Sequence, residues 1–233
     1  MPRPSQGIDQ ALLRSGLALW PQSGCAGLSV RKVAEHAGVN PAMFHYHFGS
    51  KGAFLEAVLQ QVYEQMFSQL SASAARDGPV LGRLEDALLT LARFVREHHA
   101  LLARLAIDAA HGETVVQQFL RTNAPRHLTL LLQLLGEAES AGLLIPAPPM
   151  QRFVFLMGSV AAPMLMVQAM AALGVAPAAA MGAAQALSDD AIRQRVQWAL
   201  AALVQRPPAS EISTTTPPAT PRRRATTRSR TRP

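Results

Sequence analysis

The sequence predicts an all-α protein. Three observations carry that prediction. Apolar residues recur at helical spacing in one segment after another up to about residue 206. No segment shows sustained period-two alternation bounded by turn residues, the mark of a half-buried strand. Of the 233 residues 49% are hydrophobic and 16% charged, which suits a large buried interior.

The elements follow in order. Residues 6–20 read as a helix with Ile8, Ala11, Leu12, Ala18 and Leu19 on its inner face, and Pro21–Gly27 as a Gly-rich connection. Val30, Val33, Ala34 and Ala37 then form one apolar helix face, with Ser29 placed to cap its start and Gly38 to close it. Asn40 caps a second short helix and Pro41 takes its first position, where a missing N–H costs nothing. Phe44 and Phe48 face inward from that helix, so Ala42, Met43, His45 and Tyr46 face out. A helix, a Gly-containing turn and a helix over about residues 29–48 make the helix-turn-helix pattern, whose second helix enters the DNA major groove.

Lys51 opens a long helix to about Ala75, with Phe54, Leu55, Val58, Leu59, Val62 and Met66 along one face. Arg76–Pro79 breaks the chain. A helix to about Glu97, a bend at His98-His99 and a helix to Ala110 follow. Beyond the segment Glu113–Leu120, Pro125 is expected to start the next helix, which Gly142 closes. A long apolar helix over about Met150–Leu173, kinked near Pro163, comes next. Val175–Leu187 is Ala-rich and ambiguous. Ser188 caps a last helix to about Gln205, whose acidic first turn suits the helix dipole. Pro207–Pro233 has almost no apolar side chains and is expected to be disordered.

Leu28–Lys51 resembles the DNA-reading half of the TetR (tetracycline-repressor) family of transcription regulators. The resemblance rests on Val33-Ala34, Ala37-Gly38-Val39, Tyr46-His47-Phe48 and Ser50-Lys51, and extends with decreasing specificity from about Gln6 to Met66. Beyond that only helix count and length match. Cys25 and His45 depart from aromatic residues common in the family. The resemblance implies a three-helix DNA-binding head, residues 1–53, and a larger helical ligand-binding and dimerisation domain, residues 54–206, ahead of the tail 207–233. It implies a cytoplasmic homodimer, most often a repressor, that binds a palindromic double-stranded operator and is released by a small apolar inducer.

Candidate residues follow. For DNA they are Arg31, Asn40, Pro41, Ala42, Met43, His45, Tyr46 and Lys51. Pro41–Phe48 contains no Lys or Arg, so the bidentate arginine–guanine contact must come from elsewhere, and Arg31 is the nearby candidate. Ala42 and Met43 suit thymine methyl groups, while the Tyr46 hydroxyl and Lys51 suit phosphate. By resemblance, Phe94, Met157 and Met164 are candidates for the inducer pocket. The dimer contact would come from the apolar helix and the last helix, the latter through Ile192, Val196, Ala199, Leu200 and Leu203.

Charge and chemistry narrow the alternatives. Of the net charge of +7, +5 lies in Pro207–Pro233, leaving the first 206 residues nearly neutral. The lone Cys25 allows no internal disulfide, the N-terminus lacks the apolar core of a signal peptide, and a reducing cytoplasm is expected. No nucleophile–base pattern or phosphate-binding Gly loop is present, so no enzyme activity and no cofactor are expected. Two rivals stand beside the regulator. Phe153–Leu187 carries no charge and is long enough to span a bilayer, the alternative being burial in a dimer interface. Asp108, His111, His98 and His99 could hold a metal in a helical binding protein or enzyme.

Overall fold

The computed structural model describes residues 4–174 and 185–205, and the tail expected to be disordered lies outside them, as does most of Val175–Leu187. Among the described residues the regular elements are helices α1 (Pro4–Gly27), α2 (Val30–Ala37), α3 (Pro41–Phe48), α4 (Lys51–Ala74), α5 (Val80–Ala110), α6 (Thr114–Ser140), α7 (Pro149–Val160), α8 (Ala162–Ala172) and α9 (Asp189–Leu203). The single β-type pairing described is an isolated antiparallel bridge, Leu144 to Val204.

Helices α1, α2 and α3 pack on one another and on the first turns of α4. Their shared core holds Leu12, Trp20, Leu28, Val33, Ala34, Phe44, Phe54 and Val58, all nearly inaccessible. Helix α4 runs on between α5 and α6, and α7, α8 and α9 complete the second layer against α5 and α6. One continuous apolar core joins both ends of α4, so α4 and α5 connect the two halves through packed side chains.

Three local readings differ from the sequence expectation. Helix α1 continues past Pro21 to Gly27, with a break at Gly24 (φ 66°), because Ser23 Oγ and Leu28 N–H bond back to Leu19 O and Gly24 O and extend the turn. Helix α6 starts at Thr114 and carries Pro125 in its interior. Pro125 lacks the N–H for a helical bond, while Asn123 Nδ2 donates to Phe119 O (3.1 Å) in the preceding turn and supports the helix there. The long apolar helix is two helices, with the break at Ala161 and Pro163 in the first turn of α8, where a proline is tolerated.

The segment Pro149–Val167 is long and apolar enough to cross a bilayer by length and composition. Within it, however, Arg152 is fully buried and pairs with Glu139, and it donates to Ile145 O at 2.7 Å. Helix α7 packs against α6 and α9 through Arg152, Leu156 and Val160.

Candidate DNA-reading face and the cavity behind it

The helix-turn-helix is built from local capping chemistry. Ser29 Oγ accepts from Lys32 N–H (3.2 Å) at the start of α2, and Asn40 Oδ1 accepts from Ala42 N–H (2.9 Å) at the start of α3. Between them Gly38 sits at φ 70°, a left-handed conformation that a side chain would strain, and Val39 N–H bonds back to Ala34 O. Helix α3 is clamped from below by aromatic contact: the Phe44 and Phe48 rings lie 4.8 and 5.0 Å from Phe54 at the start of α4. His36 on α2 meets the buried Ser15 hydroxyl on α1 at 2.9 Å and fixes the second edge.

Those constraints turn one face of α3 outward. Arg31, Asn40, Pro41, Ala42, His45 and Tyr46 are exposed, Tyr46 at 77%, and Met43 is half-buried. His45 Nδ1 lies 3.3 Å from Gly49 O and closes the end of α3. Lys51 is half-buried, and its ammonium donates to Ala26 O at 3.3 Å. The lysine therefore ties the end of α1 to the start of α4 and is less free than its sequence position suggests. His47 is half-buried, and its Nε2 is enclosed without a partner.

A cavity of about 220 Å³ lies between α4, α5, α6 and α7. Phe94 and Met157 line it together with Leu59, Tyr63, Leu102 and Phe119. Met164 is a correction: it is fully buried but belongs to the packed core rather than to this wall, because the cavity ends at Ala161, one turn earlier. The bend in α5 at His98 (φ −111°, ψ 17°) wraps the helix round the cavity, with Phe94 and Val95 before it and Leu101, Leu102 and Leu105 after it. Burial pushes the His98 and His127 imidazoles below their ordinary values, so both favour the neutral form. Tyr63 Oη donates to Asn123 O (2.6 Å) and lies 3.3 Å from His127 Nδ1, which satisfies the polar groups at one end.

One turn beyond Leu105, the same helix grips the head. Asp108, 2% exposed, accepts from Trp20 Nε1 (2.9 Å) and from Cys25 N–H (3.0 Å) on one oxygen and from Arg104 Nε (2.9 Å) on the other. Burial opposes the charge, but the Trp20, Arg104 and Cys25 donors outweigh it and hold the carboxyl below its ordinary value. Burial, reinforced by Asp108, pushes the Cys25 thiol up to about 12, so it stays protonated as a small buried group rather than a reactive thiolate. Gly24 is required here twice over: its φ is positive, and a Cβ would lie 1.9 Å from the Arg104 guanidinium. Sequence reading left this joint undetected. The available signal was one acid in the apolar run Leu105–Ala110, four residues after an arginine. Asp108 is thus committed to Trp20 and Arg104, His99 Nδ1 lies 3.0 Å from Arg96 O, and among the described residues no group of three potential ligands could hold a metal.

Of the expected dimer contact, the residues named on the last helix need correction. Ile192, Val196, Ala199, Leu200 and Leu203 are all buried inside their own chain, where α9 packs on α5 and α7. They form the inner face of α9. The outer surface carries other apolar residues: Trp198 is 63% exposed on α9, Val154 60% and Phe155 42% on α7, and Met166 60% on α8.

Comparison with known proteins agrees with this geometry. Residues 12–58 match the family model of bacterial regulatory proteins, tetR family. The probable HTH-type transcriptional regulator YttP of Bacillus subtilis (strain 168) is 23% identical over 141 residues, 59% of this chain and 68% of that protein. The nucleoid occlusion factor SlmA of Marinomonas sp. (strain MWYL1) is 26% identical over 128 residues, 52% of this chain and 62% of that protein. The chain thus spans about two thirds of these curated relatives. Among solved structures, a TetR family transcription regulator from Marinobacter aquaeolei VT8 superposes with a TM-score of 0.64 at 20% identity, over 88% of this chain and all of the other.

Proposed function

The chain belongs to the tetR family of bacterial regulatory proteins, a DNA-binding transcription regulator, and from that premise we propose that it is a cytoplasmic homodimeric repressor released from a palindromic operator by a small apolar inducer. The observation that carries the reading is the outward face of α3, where Pro41, Ala42, His45 and Tyr46 are exposed and Met43 half-buried while Phe44 anchors the helix from behind. That helix would enter the major groove with Ala42 and Met43 against bases, and Arg31 and Tyr46 would flank it. Lys51 and the α4 N-terminus would meet phosphate after the ammonium leaves Ala26 O.

In this reading residues 1–53 are the DNA-reading head and residues 54–206 the ligand-binding and dimerisation domain. The 220 Å³ cavity, walled by Phe94 and Met157, takes the inducer. Two copies meet through the exposed apolar surface that includes Val154, Phe155, Met166 and Trp198, since an apolar surface of this kind on a folded chain marks an interaction site. The wall residues Leu101, Leu102 and Leu105 and the head-gripping Asp108 share one helix segment, so a ligand that favours one position of α5 also favours one position of the head. A transmembrane reading of α7 and α8 is disfavoured by Arg152, which is fully buried in the protein and paired with the exposed Glu139.

Selection of bound duplexes from a randomised pool tests the proposal. The expected product is an inverted repeat whose half-sites lie about one helical turn apart, ~10 bp. Recovery of unselected sequence would remove the operator reading.

A further inference from the structure

We propose that the cavity ligand is an amphiphile whose apolar tail fills the cavity and whose non-anionic, hydrogen-bond-donating head, an ammonium or a hydroxyl, lies in the groove between α4 and α6. The inference rests on reading the cavity as the ligand site. A cavity of ~150 Å³ holds one benzene, so 220 Å³ takes an apolar group of about eight to nine carbons. Among the described residues no Lys, Arg, Asp or Glu lines that space. Tyr63 Oη donates to the Asn123 backbone carbonyl, and the Asn123 amide donates to Phe119 O and accepts from Arg126, so the polar groups of the wall are already satisfied.

A groove of about 380 Å³ lies on the other side of the α4–α6 seam, lined by Glu56, Gln60, Thr114, Gln118 and Thr122. Phe119 and Asn123 line both spaces, so the partition between them is one ring and one amide. Asn123 Nδ2 reaches Gln60 Oε1 only at 3.5 Å, a weak tie across the seam. In this assignment the ligand turns the Phe119 ring and the Asn123 amide aside, at the cost of the amide's bonds to Phe119 O and Arg126, and so joins the two spaces.

The chemistry of the groove selects the head. Glu56 is the charged side chain among its lining residues, and among the described residues no Lys or Arg lines it. A carboxylate head would sit beside Glu56 with no free cation, since Arg126, which donates to Asn123 Oδ1, is already paired with Glu64, whereas an ammonium or hydroxyl would donate to Glu56 and Gln60. A second groove also borders the cavity and carries Arg93 and Glu97. Its shared residues, Val62, Met66 and Phe94, are all apolar and give a head group no polar path outward.

Calorimetric titration of the full-length protein with n-nonylamine, 1-nonanol and nonanoate, each below its micelle-forming concentration, tests the assignment. The amine and the alcohol should bind, and nonanoate should bind roughly tenfold more weakly. Glu56→Gln should weaken the amine about three- to fivefold, as for a solvent-exposed ion pair, and leave the alcohol unchanged. Nonanoate binding as tightly as the amine, or an amine affinity indifferent to Glu56→Gln, would overturn the assignment. Loss of nonanoate binding in Arg93→Ala would place the head in the second groove and overturn it as well. If all three ligands bind alike and the cavity-filling Leu102→Trp or Ala124→Leu abolishes them, the cavity stands and the head-group assignment falls. If none binds, the cavity reading itself falls.

Discussion

The indole N–H of Trp20 donates to Oδ2 of Asp108 at 2.9 Å, across 88 residues of chain. That bond joins the first helix of the head to the helix that walls the cavity. It is buried, and the carboxylate it meets is shared with Cys25 N–H and Arg104.

Asp108→Ala should destabilise the protein by about 3 kcal/mol, since three donors lose a buried acceptor at once. The carboxyl lies below its ordinary value in the folded state. Its contribution is therefore complete above the unfolded value near ~4 and is lost as the pH falls through the folded value. Urea unfolding at pH 7 and pH 3 checks this: Asp108→Asn should be less stable at pH 7 and show a smaller acid-induced loss than wild type. Gly24→Ala should destabilise the same joint by displacing Arg104.

Two half-buried imidazoles act at higher pH. His98 and His127 are held below their ordinary values by burial, so the unfolded chain binds more protons below about pH 6.5 and stability should fall there as the pH drops. His127→Gln should flatten that part of the curve. A melting temperature that is constant between pH 7 and pH 5 in wild type would contradict it.

Charge on α9 should act differently on its two faces. Trp198→Glu with Val154→Glu should give a folded monomer by light scattering, with unchanged helicity and lost operator binding. Leu200→Glu should unfold the chain, since an unpaired charge in its core costs several kcal/mol. A dimeric double variant would place the subunit contact elsewhere.

On DNA, Met43→Ala should relax preference at one base pair, whereas Lys51→Ala should weaken all sequences similarly. Because Lys51 also bonds Ala26 O, its loss should lower the melting temperature slightly. Gel shifts on the selected operator and on single-base variants separate these effects.

The arginine cluster Arg222–Arg232 should lower the salt dependence of DNA binding when Pro207–Pro233 is deleted. The last described residue, Gln205, bonds Leu143 O near the end of α6, where Glu137 meets Arg83 and Arg83 meets Ala74 O at the far end of α4. The head is thus about 36 Å away along the 24 residues of α4. The 17 residues from Gln205 to Arg222 span at most ~60 Å, so the cluster reaches phosphate only when drawn out. A fall of about one to two in the slope of log affinity against log salt is expected, rather than the ~5 of six full contacts. Identical slopes would show that the tail does not touch DNA.

The sequence alone determined what depends on neighbours within a turn or two. The Ser29, Asn40 and Ser188 caps, the left-handed Gly38 and the bend at His98 are local, because a cap or a turn needs only the backbone beside it. Tertiary structure decided what each apolar stripe meets. The Ile192–Leu203 stripe reads the same whether it packs on its own chain or on a second subunit, since burial favours both alike. Only the position of α5 and α7 turned that stripe inward and left Trp198 outside. Pro125 predicted a helix start, yet α6 begins at Thr114 and carries it in its interior, packed against α4 and α5. Asp108 could be read as a metal ligand until Trp20, Cys25 and Arg104 converged on it. A buried charge is defined by its partners, and these lie up to 88 residues away in sequence, where no local pattern reports them.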